Sequence, residues 1–191
     1  MKGFDFDNTI YDGESVFDFA IFVVKREKKL LKYIPVFIWI LIKYKMCWMK
    51  KEDLLASLEK YSKEFMSNKQ SILQLVEEFW EENIDKLYPH MLKKIKEDDV
   101  IITTSPKFLM DAIKDVIPTN HVIASEVDLE SGKIIHLNFQ DNKVKAFQEK
   151  YPTTKLVEFY TDSYNDLPMM NLSKKVFLVK KGCCKQIKPK K

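Results

Sequence analysis

The sequence predicts an α/β protein, a parallel sheet with helices on both faces that is interrupted directly after its first strand by an all-helical block. Three observations carry this. Apolar strand-like runs alternate with helical patterns from Asp99 onward, residues of about 14 to 90 show helical spacing only, and a short apolar run ending in carboxylates precedes that block. The 191 residues then divide into a core of 1–13 and 91–191 and an inserted helical cap of 14–90.

Lys2 to Phe6 is apolar enough for a buried strand, and its tip carries Asp5 and Asp7. Ser15 with Asp18 makes a capping-box-like start, after which Val16, Phe17, Phe19, Ala20 and Val23 recur at helical spacing. Tyr33 to Ile42 reads YIPVFIWILI, ten residues without a charge between Lys32 and Lys43, with Pro35 suited to a first helical turn. Ten residues fall short of the roughly 17–25 that span a bilayer. The aromatics and lysine flanks fit a helix lying on a membrane, but a helix apolar all round is usually buried. Burial is therefore the expectation, with membrane contact the less favoured alternative. Lys51 to Phe65 and Ser71 to Leu87 complete the block as amphipathic helices, with stripes of Leu54, Leu55 and Leu58 and of Leu75, Phe79 and Trp80.

After Pro89 a short helix leads into a strand over Asp99 to Thr104, and Ser105-Pro106 opens a helix through Val116. His121 to Val127 is a strand, and Glu126 to Leu137 reads as a hairpin around Ser131-Gly132. Asn142 to Lys150 is helical, Leu156 to Thr161 a strand, Leu167 to Leu172 a short helix, and Val176 to Val179 a last strand before a polar tail, Lys180 to Lys191.

Composition narrows the function. Lys and Arg number 32 against 28 Asp and Glu, a net charge of +4, and Arg26 is the single arginine. Bidentate reading of bases and phosphates leans on arginine, so a sequence-specific nucleic-acid partner is not expected. Cys47, Cys183 and Cys184 include no CxxC pair, which suits a reducing, cytoplasmic setting. The start MKGFDFDNT lacks the apolar region of a secretory signal.

In an open parallel sheet, ligands bind beyond the carboxyl ends of the strands. There this chain places Asp5 and Asp7, then Thr103 to Ser105, then Lys143 at a helix start, then Asp162 with Asp166. Four converging carboxylates repel one another, so a hard divalent cation is the natural occupant, and magnesium suits oxygen ligands and a phosphate. Taken singly each residue has a plain structural reading: Asp7 as a turn residue, Thr103 as a strand end, Lys143 as a solvated helix residue and Asp162 as a cap. Their order and placement make the set informative.

DFDNT, VIITTSP, NKVKAF and YTDSYNDLPMM resemble the four motifs of the haloacid dehalogenase superfamily of hydrolases, in the phosphoserine-phosphatase-like branch with a helical cap inserted after the first motif. The resemblance covers nearly the whole chain, the EVDLESGKI hairpin included. It implies a three-layer Rossmann-like core and a Mg2+-dependent phosphatase acting on a small phosphorylated metabolite. Asp5 would be the nucleophile that becomes an aspartyl-phosphate, and Asp7 the general acid and then base. Asp5, the main-chain carbonyl of Asp7 and Asp162 would hold Mg2+, with Asp166 orienting a metal-bound water. Thr103 and the Thr104 amide would bind phosphate, and Lys143 would neutralise it.

Glu14, nine residues after Asp5, stands where phosphoserine phosphatase holds the substrate amine, and Asn165 is a further candidate substrate contact. Glu14 reads equally as an acid at a helix N-terminus. The arginine that would pair with a serine carboxylate has no counterpart, since Arg26 lies too early. TTSP replaces the usual glycine pair and Thr161 the usual glycine before Asp162, so phosphoserine is not the favoured substrate. A lipid-phosphate phosphatase, similar to phosphatidylglycerophosphatase and using the apolar cap segment, is the alternative within the same chemistry; a non-catalytic binding domain is the third. Receiver domains of response regulators carry their acids in another order, and a calcium-binding loop at Asp5 would place Ile10 where glycine is needed.

Overall fold

The computed structural model describes residues 1–26, 34–46 and 69–188, with positions 32, 48, 50, 53, 56 and 57. The described strands are β1 (Lys2–Phe4), β2 (Val100–Pro106), β3 (Val122–Val127), β4 (Ile134–His136), β5 (Glu158–Thr161), β6 (Lys175–Lys180) and β7 (Cys183–Ile187). The described helices are α1 (Ser15–Arg26), α2 (Ile34–Lys45), α3 (Lys69–Asn83), α4 (Pro89–Leu92), α5 (Lys107–Asp111), α6 (Asp141–Lys150) and α7 (Leu167–Leu172).

All the strands join one sheet in the order β4-β3-β2-β1-β5-β6-β7. The five inner strands run parallel, and β4 and β7 pair antiparallel at the two edges. β1 is therefore central, with Phe4 level with Ile101 on one side and Tyr160 on the other. Gly3 belongs there because a Cβ would lie 3.0 Å from the Phe159 ring and 3.2 Å from Leu156. Phe4, Tyr160 and Phe177 stack in a row across three strands, each pair of centroids 4.7 Å apart.

Two apolar layers flank the sheet. On one face Phe4, Phe6, Ile101 and Tyr160 pack with Phe19, Phe22 and Val23 of α1, Val76, Phe79 and Trp80 of α3, and Leu109 and Met110 of α5. On the other, Val100, Ile102, Phe159 and Val176 meet Phe147 of α6 and Met169 and Met170 of α7. This is the three-layer α/β architecture that the alternating elements imply.

Several local expectations change, and the helix expected through Val116 ends at Asp111. Asp18 accepts from the Tyr11 hydroxyl at 2.7 Å and from Lys86 at 3.1 Å, so it ties α1 to its neighbours instead of serving a capping box with Ser15. β2 continues through Ser105 and Pro106, where helix was expected, because Pro106 pairs with Ser125 of β3 and the Ser105 amide donates to the Thr103 hydroxyl. The tail expected to be merely polar contains β7, and the two-residue link Lys181-Gly182 has both φ angles positive, +49° and +72°, a turn that matches the twist of a hairpin. The run Tyr33 to Ile42 is not buried all round: Ile40 packs against Leu137 and Phe139, while Ile38, Trp39 and Ile42 face outward. An uncharged run hides which side of a helix lacks a partner. Among the described residues, no helix is long and apolar enough to cross a membrane. The stripe Leu54, Leu55 and Leu58 lies outside the described residues.

Candidate active site

The loop after β1 is built to hold two acids. The Asp5 amide donates to the Tyr160 carbonyl at 2.8 Å, extending the parallel pairing with β5, and Phe6 turns into the core against Tyr11 and Trp80. The amides of Thr9, Ile10 and Tyr11 all donate to the Phe6 carbonyl, and the Asn8 amide to the Gly13 carbonyl. Asn8 adopts φ +52° and Gly13 φ +148° to close this turn, and a Cβ on Gly13 would meet the Asp18 carboxylate at 2.6 Å.

The turn delivers Asp7 to the N-terminus of α1. One carboxylate oxygen accepts from the Ser15 amide at 2.6 Å and the other from the Ser105 hydroxyl at 2.6 Å, while the two serine hydroxyls lie 2.8 Å apart. Burial pushes the Asp7 carboxyl above its ordinary range, and the Ser105 and Ser15 donors and the Lys143 charge pull against that rise.

Opposite Asp7, α6 carries Lys143 into the interior, where the side chain is 2% exposed. Its ammonium lies 2.9 Å from Asp5 and 2.7 Å from Asp166. Asp166 is completed by the Thr161 hydroxyl at 2.8 Å. Burial works to lower the Lys143 pKa, but Asp166 and Asp5 outweigh it, and the ammonium is held firmly charged. Burial also drives Asp5 well upward; Lys143 opposes this, and Asp166, Asp162 and Asp7 add to it.

Thr103 is buried, and its hydroxyl accepts the Ser105 amide at 3.0 Å. Its carbonyl accepts from the Asn138 amide group at 2.8 Å, and the Thr104 carbonyl accepts from the Ser125 hydroxyl at 2.6 Å, so the bend after β2 is pinned from β3 and the segment following β4. The Thr104 hydroxyl is buried without a hydrogen-bond partner. Glu14 is buried and accepts from the Asn8 side chain at 2.6 Å. Asn165 is buried, and its amide donates to the Ser163 hydroxyl.

Asp5, Asp7, Asp166 and Lys143 thus share one crevice, with Asp162 near enough to act on Asp5. The sequence groups Ser105 with the polar end of β2 but gives it no role, reads Ser15 only as a helix start, and does not single out Asn138. The third hydroxyl of the run Thr103-Thr104-Ser105 was the available signal for Ser105; nothing local marks Asn138. Four carboxylates around a single buried ammonium leave excess negative charge that a hard cation would balance. Among the described residues, no three acidic, histidine or cysteine side chains are grouped to hold a metal alone. Asp5 and Asp162, with a main-chain carbonyl and waters, suit magnesium, which keeps part of its hydration shell.

A family model described as haloacid dehalogenase-like hydrolase matches residues 3–171. The chain belongs to that family. Solved structures similar to this haloacid dehalogenase-like hydrolase include a protein with unknown function from Bordetella pertussis Tohama I, at 17% identity and TM-score 0.74, covering 90% of this chain and 85% of that one. A phosphoserine phosphohydrolase-like protein from Francisella tularensis is 16% identical with TM-score 0.62, covering 92% and 86%. A phosphoserine phosphatase from T. onnurineus is 18% identical with TM-score 0.57, covering 92% and 81%. At these identities what is shared is the fold. No curated protein sequence matches this haloacid dehalogenase-like hydrolase.

Proposed function

We propose that the protein is a Mg2+-dependent phosphatase that hydrolyses a small-molecule phosphate monoester through an aspartyl-phosphate on Asp5. One observation carries the reading: Lys143 bridges Asp5 and Asp166 from a buried position, while Asp7 stands apart on its own donors, Ser15 and Ser105. Two neighbouring acids thus have different surroundings, as two different roles require.

In the first step an Asp5 oxygen attacks phosphorus, the ester P–O bond breaks, and protonated Asp7 gives its proton to the leaving alkoxide. In the second, a water attacks the same phosphorus, Asp7 takes its proton, and the Asp5–phosphorus bond breaks. The raised pKa of Asp7 suits a carboxyl that must carry a proton at the first step. A carboxylate attacks a dianionic phosphate poorly unless the repulsion is screened, which is the task of Lys143. Bound Mg2+, held by Asp5, Asp162 and the Asp7 carbonyl with Asp166 behind them, would supply Lewis-acid charge stabilisation. Thr103 and the Thr104 amide would hold a phosphate oxygen, and the helical segment 14–90 would act as the cap that selects the alcohol.

Glu14 and Asn165 would be substrate contacts. Glu14 is already bound by Asn8, which supports a role in shaping the loop as much as one in binding an amine. A panel of phosphate esters with and without magnesium tests the proposal. Turnover should need the metal, an acid-quenched sample should carry one phosphoryl group, and Asp5→Asn should lose both. Retained turnover in Asp5→Asn would remove the nucleophile from this account.

A further inference from the structure

We infer that α2 and the basic segment around it form a docking surface for anionic lipid bilayers. Pro35, Ile38, Trp39, Ile42 and Met46 follow one another at helical spacing and lie on one face. Ile38 is 48% exposed, Trp39 55%, Ile42 44% and Met46 52%, and Trp48 just beyond is 68% exposed. The other side of the helix is already used: Ile40 is buried against Ile134, Leu137 and Phe139. The outer stripe is therefore apolar, aromatic and about half exposed, which is uncommon for a surface with no binding role.

Charge identifies the occupant. Residues 25–51 contain nine Lys or Arg and one acid, Glu27, a net +8, whereas the rest of the chain is net −4. In the sequence, more than the whole positive excess of the protein flanks this helix, with Arg26 paired to Glu78 and Glu82. A bilayer with anionic headgroups complements both features at once, taking Trp39 and Trp48 at the level of the headgroups and the lysines just above them. Lys43 already lies beside the stripe, its ammonium 5.3 Å from the centre of the Trp39 ring. A second copy of the chain fits less well, because joining the same face of two molecules would bring lysines such as Lys43 and Lys50 against lysines. At 12 residues, α2 is about 18 Å long, against the roughly 30 Å of a hydrocarbon core, so the helix lies in the interface and does not cross it.

The docking stands apart from the phosphatase chemistry, and its test needs no turnover. The full chain is floated with phosphatidylcholine vesicles that contain or lack phosphatidylglycerol. It should rise with the anionic vesicles and stay behind with the neutral ones. Tryptophan emission should shift to the blue on binding, a signal from Trp39 and Trp48 over a constant background from buried Trp80. Added salt should weaken binding. W39E/I42E should lower the bound fraction by about tenfold or more, and K43E/K50E should act in the same direction through charge alone. Because the substituted apolar side chains are exposed, thermal unfolding should be unchanged in W39E/I42E. Absence of flotation with anionic vesicles would overturn the inference, as would equal flotation with neutral ones. So would a concentration-dependent dimer in sedimentation that W39E/I42E abolishes without any vesicle binding in the parent.

Discussion

Ser105 and Asp7 lie 98 residues apart in the chain and 2.6 Å apart across the crevice, hydroxyl to carboxylate. With the Ser15 amide on the other oxygen, a single carboxylate ties the end of β2, the loop after β1 and the start of α1 together. Replacing Ser105 by Ala leaves one oxygen of a buried carboxylate without its donor. A hydrogen bond to a charged group contributes about 1.5–3 kcal/mol, so Ser105→Ala should lower kcat about ten- to hundredfold if that bond matters fully at the reacting step. Steady-state kinetics on any accepted ester checks this, and an unchanged kcat would confine Ser105 to a structural part.

Lys143 is the only cation between Asp5 and Asp166 among the described contacts. Lys143→Met should abolish turnover and cost roughly 3–5 kcal/mol at neutral pH, since it strands buried charge. The deficit should shrink as the solution is acidified. Asp5 has its folded pKa raised, so its protonation favours the folded state, and the stability it lends is present at low pH and lost as pH rises. Urea unfolding at two pH values measures the difference; an equal deficit at both would show that the carboxylates are not what Lys143 compensates.

Magnesium should raise the Tm of the parent protein, because an ion bound by the folded state alone stabilises it by mass action. The rise should be absent in Asp162→Asn. Calorimetry with and without MgCl2 reads this independently of any substrate, and an identical shift in the variant would take Asp162 out of the metal set.

Tyr11, Tyr88, Tyr151 and Tyr160 all have phenols pushed upward by burial, and acids beside three of them add to it: Asp18 for Tyr11, Asp12 for Tyr88 and Glu158 for Tyr160. Tyr88 is pushed up to about 12. The neutral phenol is the form that the fold prefers, so its contribution is complete below about pH 10 and is lost as pH rises toward about 12 for Tyr88. Stability should fall across that window, and Tyr160→Phe should flatten the fall. Absorbance of the phenolate followed alongside unfolding checks the coupling.

The acids and the lysine were legible in the sequence because strand ends are marked by where apolar runs stop. Asp5, Asp7, Thr103 and Asp162 each sit at such a stop, and Lys143 at the start of a helix. The ties among them were not legible. Nothing near Asn138 shows that its amide group will clamp the Thr103 carbonyl 35 residues away, and a serine before a proline reads as a helix start until the pairing of Pro106 with Ser125 is known. Likewise α2 is unmistakable as an apolar segment, but which side meets Leu137 and Phe139 depends on tertiary packing that periodicity does not encode when every position is apolar.

The hairpin of β6 and β7 has a consequence for the molecule as a solute. β7 occupies the hydrogen-bonding edge of β6 along five residue pairs, from Val176 with Ile187 to Lys180 with Cys183. A chain cut after Gly182 would offer that parallel sheet as an open template to other strands, so shortened forms of this protein should self-associate even with every residue of the crevice in place.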